Sequence, residues 1–179
     1  MNLSPLASKF VLHWGEMGTR WGVNRTVAQI HALLYISPKP LDAEEIGETL
    51  SIARSNVSTS LRELQGWGIV RVVHVMGDRR DHFESMRDVW EMFQVVMDER
   101  KKREIDPTVA LLRECVAEAE KAGASGGAEH HTRDRLRDLL GFFEAMTAWY
   151  SQMRCLPTGA VIRFVKMGSK IKKLLGLAS

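Results

Sequence analysis

Residues 42–66 read DAEEIGETLSIARSNVSTSLRELQG. Asp42 followed three residues later by Glu45 is a capping-box pattern, and Ile46 and Leu50 sit one helical turn apart behind it. Ser51-Ile52 makes a short break. A second helix starts near Ala53 or Arg54, with Val57, Leu61 and Leu64 at spacings of four and three as its apolar face. It ends at Gly66-Trp67-Gly68, where glycine can take the left-handed C-cap conformation. Burying that face leaves Arg54, Ser55, Asn56, Ser58, Thr59 and Arg62 turned outward.

The next residues are β-branched. Ile69–Val75 reads as a strand, Met76–Asp81 as a turn and His82–Ser85 as a short return strand. The hairpin carries Arg79 and Arg80 at its tip. Two helices joined by a tight turn, followed by a hairpin, are the order of a winged helix-turn-helix. The expected fold is mainly α with a small β-hairpin wing. The outward side chains suit duplex DNA. Arg pairs bidentately with guanine and Asn with adenine, while Ser and Thr bond bases or phosphates. The two wing arginines suit a phosphate backbone or a minor groove.

Upstream, Ser4-Pro5 is a cap with proline at the first helical position. Leu6, Phe10, Trp14 and Met17 form a stripe, and Gly15, Gly18 and Gly22 weaken the end of that helix. Asn24 caps a helix with Val27, Ile30, Leu33 and Leu34 buried, which the Ser37-Pro38-Lys39-Pro40 run stops. Downstream, Asp88 and Glu91 form another capping pattern, and Val89, Phe93, Val96 and Met97 share a face. Residues 98–104 are a charged stretch. Asp106-Pro107 restarts or kinks the helix, which then buries Leu111, Leu112, Cys115, Val116 and Ala119. Gly123–Ala128 is linker-like. A helix with a seam of Leu136, Leu139, Phe143, Met146, Tyr150 and Met153 follows. The last helix, about 158–176, carries Val161, Phe164, Ile171, Leu174 and Leu175 against Arg163, Lys166, Lys170, Lys172 and Lys173. The reading divides the chain into a supporting helix (1–23), a winged helix-turn-helix (24–86, with the helix pair about 42–66 and the wing about 69–85) and a helical region for dimerisation and ligand sensing (87–179).

The 179 residues are 45% hydrophobic and 26% charged, which excludes disordered and collagen-like classes. Net charge is only +3, but it is unevenly placed: residues 41–50 carry −4 and residues 51–80 carry +3. A local cationic patch, rather than global charge, is what attracts a polyanion. No run is long and apolar enough for a membrane span, and no signal peptide is read in MNLSPLASKFVLHW.

The runs Arg25–Ile30, Leu33–Pro38, Arg54–Gln65, Gly77–Arg80 and Asp88–Phe93 resemble the GbsR group of MarR-like transcriptional regulators. The resemblance covers about residues 5–122 well and the rest loosely. It implies a cytoplasmic homodimer that binds operator DNA and represses transcription, with a quaternary ammonium osmoprotectant or precursor as a possible effector. Two positions depart from the pattern. Ser51 stands in the turn where Gly is usual, and Ala53 stands where a Ser cap is common.

Other chemistry has less support. His130 and His131 are adjacent and diverge on a helix, so they share no metal easily. Two cysteines make no disulfide framework or CxxC site. Phosphate loops and hydrolase motifs are missing, so no enzyme, metal or cofactor is expected. Trp14, Trp21, Trp90, Trp149 and Tyr150 are candidate rings for an ammonium ligand through cation–π attraction. The alternative function is a protein-interaction or membrane-surface adaptor using the basic last helix, although no membrane partner is expected.

Overall fold

The computed structural model describes residues 3–121 and 127–167. Its elements are α1 (Pro5–Arg20), α2 (Arg25–Ile36), β1 (Leu41–Asp42), α3 (Ala43–Leu50), α4 (Arg54–Gly66), β2 (Val70–Val73) and β3 (His82–Ser85). They continue as α5 (Val89–Arg100), a π-helical turn (Lys101–Ile105), α6 (Asp106–Lys121), α7 (Gly127–Arg154) and α8 (Thr158–Lys166). The chain divides into two compact units, Met1–Val96 and Met97–Ser179. The Gly123–Gly126 part of the expected linker lies outside the described residues. So do Lys170, Ile171, Lys172, Lys173, Leu174 and Leu175, and the side chains of Phe164 and Lys166 are not described.

The first unit is a mainly α winged helix. Much of its core is what the helical periodicity selects: Val27, Ile30, Leu33, Leu34, Ile46, Val57, Leu61 and Leu64 are buried, and Val11, Leu41, Ile69, Val70 and Phe83 join them. The sheet has the order β1-β3-β2, antiparallel throughout, with Leu41 opposite Phe83 and Val72 opposite Phe83 on the other side. β1 was not expected. Two residues between Pro40 and a helix cap carry no period, and only pairing with β3 makes them a strand. The wing strand is also shorter than expected, Val70–Val73 instead of 69–75.

Helix α1 buries a face different from the expected stripe. Leu6 is 80% exposed, and Phe10, Trp14 and Met17 are half-buried, while Val11, Gly15 and Gly18 are buried. The reason is close approach to α2. A Cβ on Gly18 would lie 2.5 Å from Ala28 Cβ, and one on Gly15 would lie 2.6 Å from Gln29 Cγ. The glycines that looked like weak points are the contact surface.

In α5 the buried residue is Met92, with Val95 packed on the core, whereas Val89 and Phe93 are exposed. Asp88 Oδ1 accepts from the backbone N–H groups of Trp90 and Glu91, so the cap forms where it was read.

In the second unit the charged stretch is helical. Pro107 has no N–H and its ring crowds the Arg103 carbonyl, so the ladder slips by one residue there. Asp106 accordingly donates to Lys101 O, five residues back. Helix α6 buries Val109, Leu112 and Val116 and packs with α7, while Leu111 is exposed. Arg113–Glu144 and Arg137–Glu120 ion pairs join the two helices. The α7 seam splits into two stripes. Leu136, Leu140, Phe143, Thr147 and Tyr150 are half-buried, but Leu139 and Met146 are exposed with Phe142 and Trp149. Apolar residues adjacent in sequence (139/140, 142/143, 149/150) allow either stripe to be the inner one, and periodicity alone cannot choose.

His31 is buried against Trp14 and Tyr35, with ring centroids 6.4 Å from each, and its Nε2 has no hydrogen-bond partner among the described residues. Burial pushes its pKa down to about 4. The folded state therefore keeps His31 neutral where the unfolded chain takes a proton. Stability should fall as pH drops from about 6.5 to about 4, by up to roughly 3 kcal/mol. Urea unfolding across this window should show a flatter profile for His31→Phe than for the parent. Equal slopes would remove His31 from the account.

Candidate nucleic-acid interface

The recognition surface begins with how α3 and α4 end. Ile52 N–H donates to Gly47 O and Ser51 N–H to Glu48 O, which is a Schellman closure of α3. Ser51 takes the left-handed C′ position at φ 54°, ψ 46°. At the end of α4, Ile69 donates to Leu64 O and Gly68 to Gln65 O, with Gly68 at φ 76°. The same motif is thus built once with serine and once with glycine. The turn after Ser51 aims the first residues of α4 outward. Ala53 is its N-cap and makes no side-chain cap bond, so the first-turn backbone N–H groups of α4 are left without a side-chain acceptor from the cap.

Arg54, Ser55, Asn56, Ser58, Thr59 and Arg62 are all exposed on α4, and Val57, Ser60, Leu61 and Leu64 are buried. The structure therefore brings the six expected side chains onto one open face. Arg62 lies along its own helix, with Nε 3.4 Å from Ser58 O and Nη2 3.4 Å from Thr59 Oγ1. These long, exposed bonds are weak and easily exchanged for a base or a phosphate.

The two wing arginines differ. Arg79 is exposed, with no ion pair among the described residues. Arg80 is held at its root: Nη2 lies 2.6 Å from Asp78 Oδ2 and Nη1 2.7 Å from Asp42 Oδ2, with Glu44 at 3.8 Å. The Arg80 guanidinium and its backbone N–H hold the Asp78 carboxyl well below the usual range, and the Asp78 contacts in turn raise Arg80. His82 is buried beneath, with Nδ1 donating to Arg80 O at 3.0 Å.

Asp42, Glu45 and His82 place one ligand atom each within 4.8 Å of one another. Their chemistry is already committed. Asp42 Oδ1 caps Glu44 N and Glu45 N, Glu45 returns a bond to Asp42 N, and Lys39 Nζ sits 2.6 Å from Glu45 Oε1. The positive charge that this corner needs is supplied by Arg80. Sequence reading missed Asp42 and Asp78 as holders of an arginine. The signal was present as Asp78-Arg79-Arg80 in the tip, but the reach to Asp42 was not.

The five candidate rings do not form one cage. Trp14 packs against Phe10 and His31, Trp21 is the half-exposed C-cap of α1, and Trp90 meets Phe93 edge-on. Trp149 and Tyr150 do share a cavity of about 250 Å³ in the second unit, with Met97, Ile105 and Met146. Arg100, Lys101 and Glu104 from the π-helical region line it too. Tyr150 Oη donates to Asp98 at 2.6 Å, and Arg154 Nε lies 2.9 Å from the same carboxylate. Burial would raise Asp98, but these donors outweigh it and hold its pKa low, while burial and Asp98 together raise Tyr150.

A tri-helical core, a two-helix reading head and an antiparallel wing define a winged helix-turn-helix protein. Residues 21–81 match the MarR family model. The chain is 21% identical over 154 residues to the HTH-type transcriptional repressor GbsR of Bacillus subtilis (strain 168), covering 84% of this chain and 85% of that one. It is 26% identical over 84 residues to the putative HTH-type transcriptional regulator YvaV of the same organism, covering 47% and 48%. A solved structure described as the crystal structure of a transcriptional regulator shares the fold, with TM-score 0.60, 21% identity and coverage of 90% of this chain and 99% of that one. The chain is thus similar to MarR-family proteins over residues 21–81 and to the GbsR repressor over most of its length.

Left-handed backbone costs a residue with a Cβ roughly 1–2 kcal/mol, partly offset by the greater unfolded-state freedom of glycine. Ser51→Gly should therefore raise the urea midpoint, by about 0.5–1 kcal/mol of stability, with an unchanged m-value. A lower midpoint would show that the serine relieves the turn in some other way.

Proposed function

We propose that this protein is a homodimeric repressor that binds an inverted-repeat operator through α4 and the wing. The observation that carries this reading is the α4 face: six polar or cationic side chains exposed together, beside a wing whose Arg79 is uncommitted. Two such heads about 34 Å apart meet successive major grooves on one side of a duplex. Asn56, Arg54 and Arg62 read base edges, and Ser55, Ser58 and Thr59 bond bases or phosphates. Arg79 and Arg80 contact the backbone or minor groove, with Arg80 braced by Asp78 and Asp42 so that the wing is stiff. Repression is steric occupancy of promoter DNA in the cytoplasm. Support comes from the name of the GbsR relative, a repressor, and from the shared winged fold.

In vitro selection of bound fragments tests this. Enriched sites should contain a two-fold repeat. Asn56→Ala should lose about 1–3 kcal/mol of base discrimination, and Arg79→Ala should weaken every sequence alike with a salt slope smaller by about 1. Equal, weak binding of random and selected duplexes at low salt would end the proposal.

An effector fits the same scheme. Trp149 and Tyr150 offer ring faces to a quaternary ammonium in the cavity they share. A ligand acts by favouring one of two dimer states. Choline titrated into the protein should give heat and lower affinity for the selected duplex, both abolished in Trp149→Ala. No heat and no change in DNA affinity would dismiss choline.

A further inference from the structure

The wing ends in a tight turn whose outermost side chain packs on nothing else among the described residues. Asp78 N–H donates to Val75 O at 3.0 Å, and Gly77 takes φ 84°, the left-handed value that a type II turn requires at its third residue. Met76 stands at the corner before it. It is 101% exposed, and Val75 beside it is 41% exposed.

A single exposed methionine elsewhere on a surface needs no account. This one leads the hairpin, and Arg79, three residues on, has no ion pair among the described residues. The hairpin is braced behind its tip, because Arg80 reaches Asp42 at 2.7 Å and Asp78 at 2.6 Å. Arg54 and Ser58 of α4 and Arg80 and Asp81 of the wing line one groove, so the wing and the α4 face border the same open space. A duplex seated with its major groove on α4 presents adjacent backbone and minor groove to the wing. Glu44 and Glu48 also line that groove, and they repel phosphate from the root of the wing. The tip is the part left free to enter.

The chemistry of the tip is that of a wedge. A minor groove has phosphate charge along its walls and stacked bases at its floor. Arg79 suits the walls. An apolar side chain such as methionine enters between base steps, partly unstacks them and bends the duplex. Methionine is unbranched and polarisable, so it fills an irregular gap between rings. Serine or asparagine, the usual residues of a solvated turn, would not.

We infer that Met76 is a specificity-determining residue, an apolar wedge that the wing inserts at a base step in the minor groove beside each α4 site. The step it enters must open, and pyrimidine–purine steps (TA, CA/TG) open most readily. The protein therefore selects a flexible step where it makes no base-edge hydrogen bond, and bends its operator there. The inference rests on the DNA-binding reading above and adds a second source of sequence preference to it.

Duplexes selected by wild type test it, labelled with 2-aminopurine at one position at a time and with a dye pair at their ends. Wild type should brighten 2-aminopurine at one step in each half-site and shorten the end-to-end distance. Changing that step from pyrimidine–purine to purine–purine should weaken wild type about 5-fold or more. Met76→Ala, with an unchanged unfolding midpoint, should lose the brightening and most of the bend, and bind the two duplexes within about 2-fold of each other. Met76→Leu should keep the brightening, the bend and the preference. The salt slope of Met76→Ala should match wild type, because no charge is removed, whereas Arg79→Ala lowers it. Brightening and bend that persist in Met76→Ala, or a wild-type complex with neither, overturn the inference and leave recognition by α4 standing. A wild type that selects no duplex ends the DNA-binding reading and the inference with it.

Discussion

The winged-helix unit depends on one buried carboxylate. Asp42 is 2% exposed, yet every oxygen lone pair that matters has a donor: the first turn of α3 on one side and the Arg80 guanidinium on the other. A buried anion is costly unless it is paired and hydrogen-bonded. Here the pairing does three things together. It starts α3, it fixes the strand β1 beside β3, and it ties the wing tip to the helix pair. Removing Arg80 would leave the buried Asp42 charge with only the helix cap, whereas the exposed Arg80 would keep Asp78, so the wing tip matters more to Asp42 than the reverse.

That feature explains the division of labour between neighbouring arginines. Arg80 gives up freedom to Asp78 and Asp42, and Arg79, one residue earlier, has none of these ties. An exposed cation without a rival carboxylate is the better counter-ion for a phosphate, because no existing bond has to be broken. The α4 face follows the same logic. Its cap residue is an alanine, and among the described residues its Arg62 makes two long bonds to its own helix. Some local stability is given up at Ser51 and Ala53, in the two places where the chain must aim α4.

The helical unit solves a different problem. Proline at 107 cannot continue a regular ladder, and the π-helical turn before it absorbs the mismatch. Residues of that wider turn and of α7, Trp149 and Tyr150 among them, line an open cavity. The same helix α7 doubles its apolar positions, and only one of the resulting stripes is half-buried while the other is exposed.

The sequence by itself determined the winged-helix class, the bounds of α3 and α4, and the six outward residues of α4. Period, caps and turn residues act over a few positions, and each agreed with the others. Tertiary structure alone decided which face of α1 is buried, since Gly15 and Gly18 gain meaning only when Ala28 and Gln29 arrive against them. It alone made Leu41–Asp42 a strand and drew Arg80 to Asp42, 38 residues away. It alone chose between the two stripes of α7. Such contacts join positions far apart in the chain, and their energy depends on distances that no local pattern encodes.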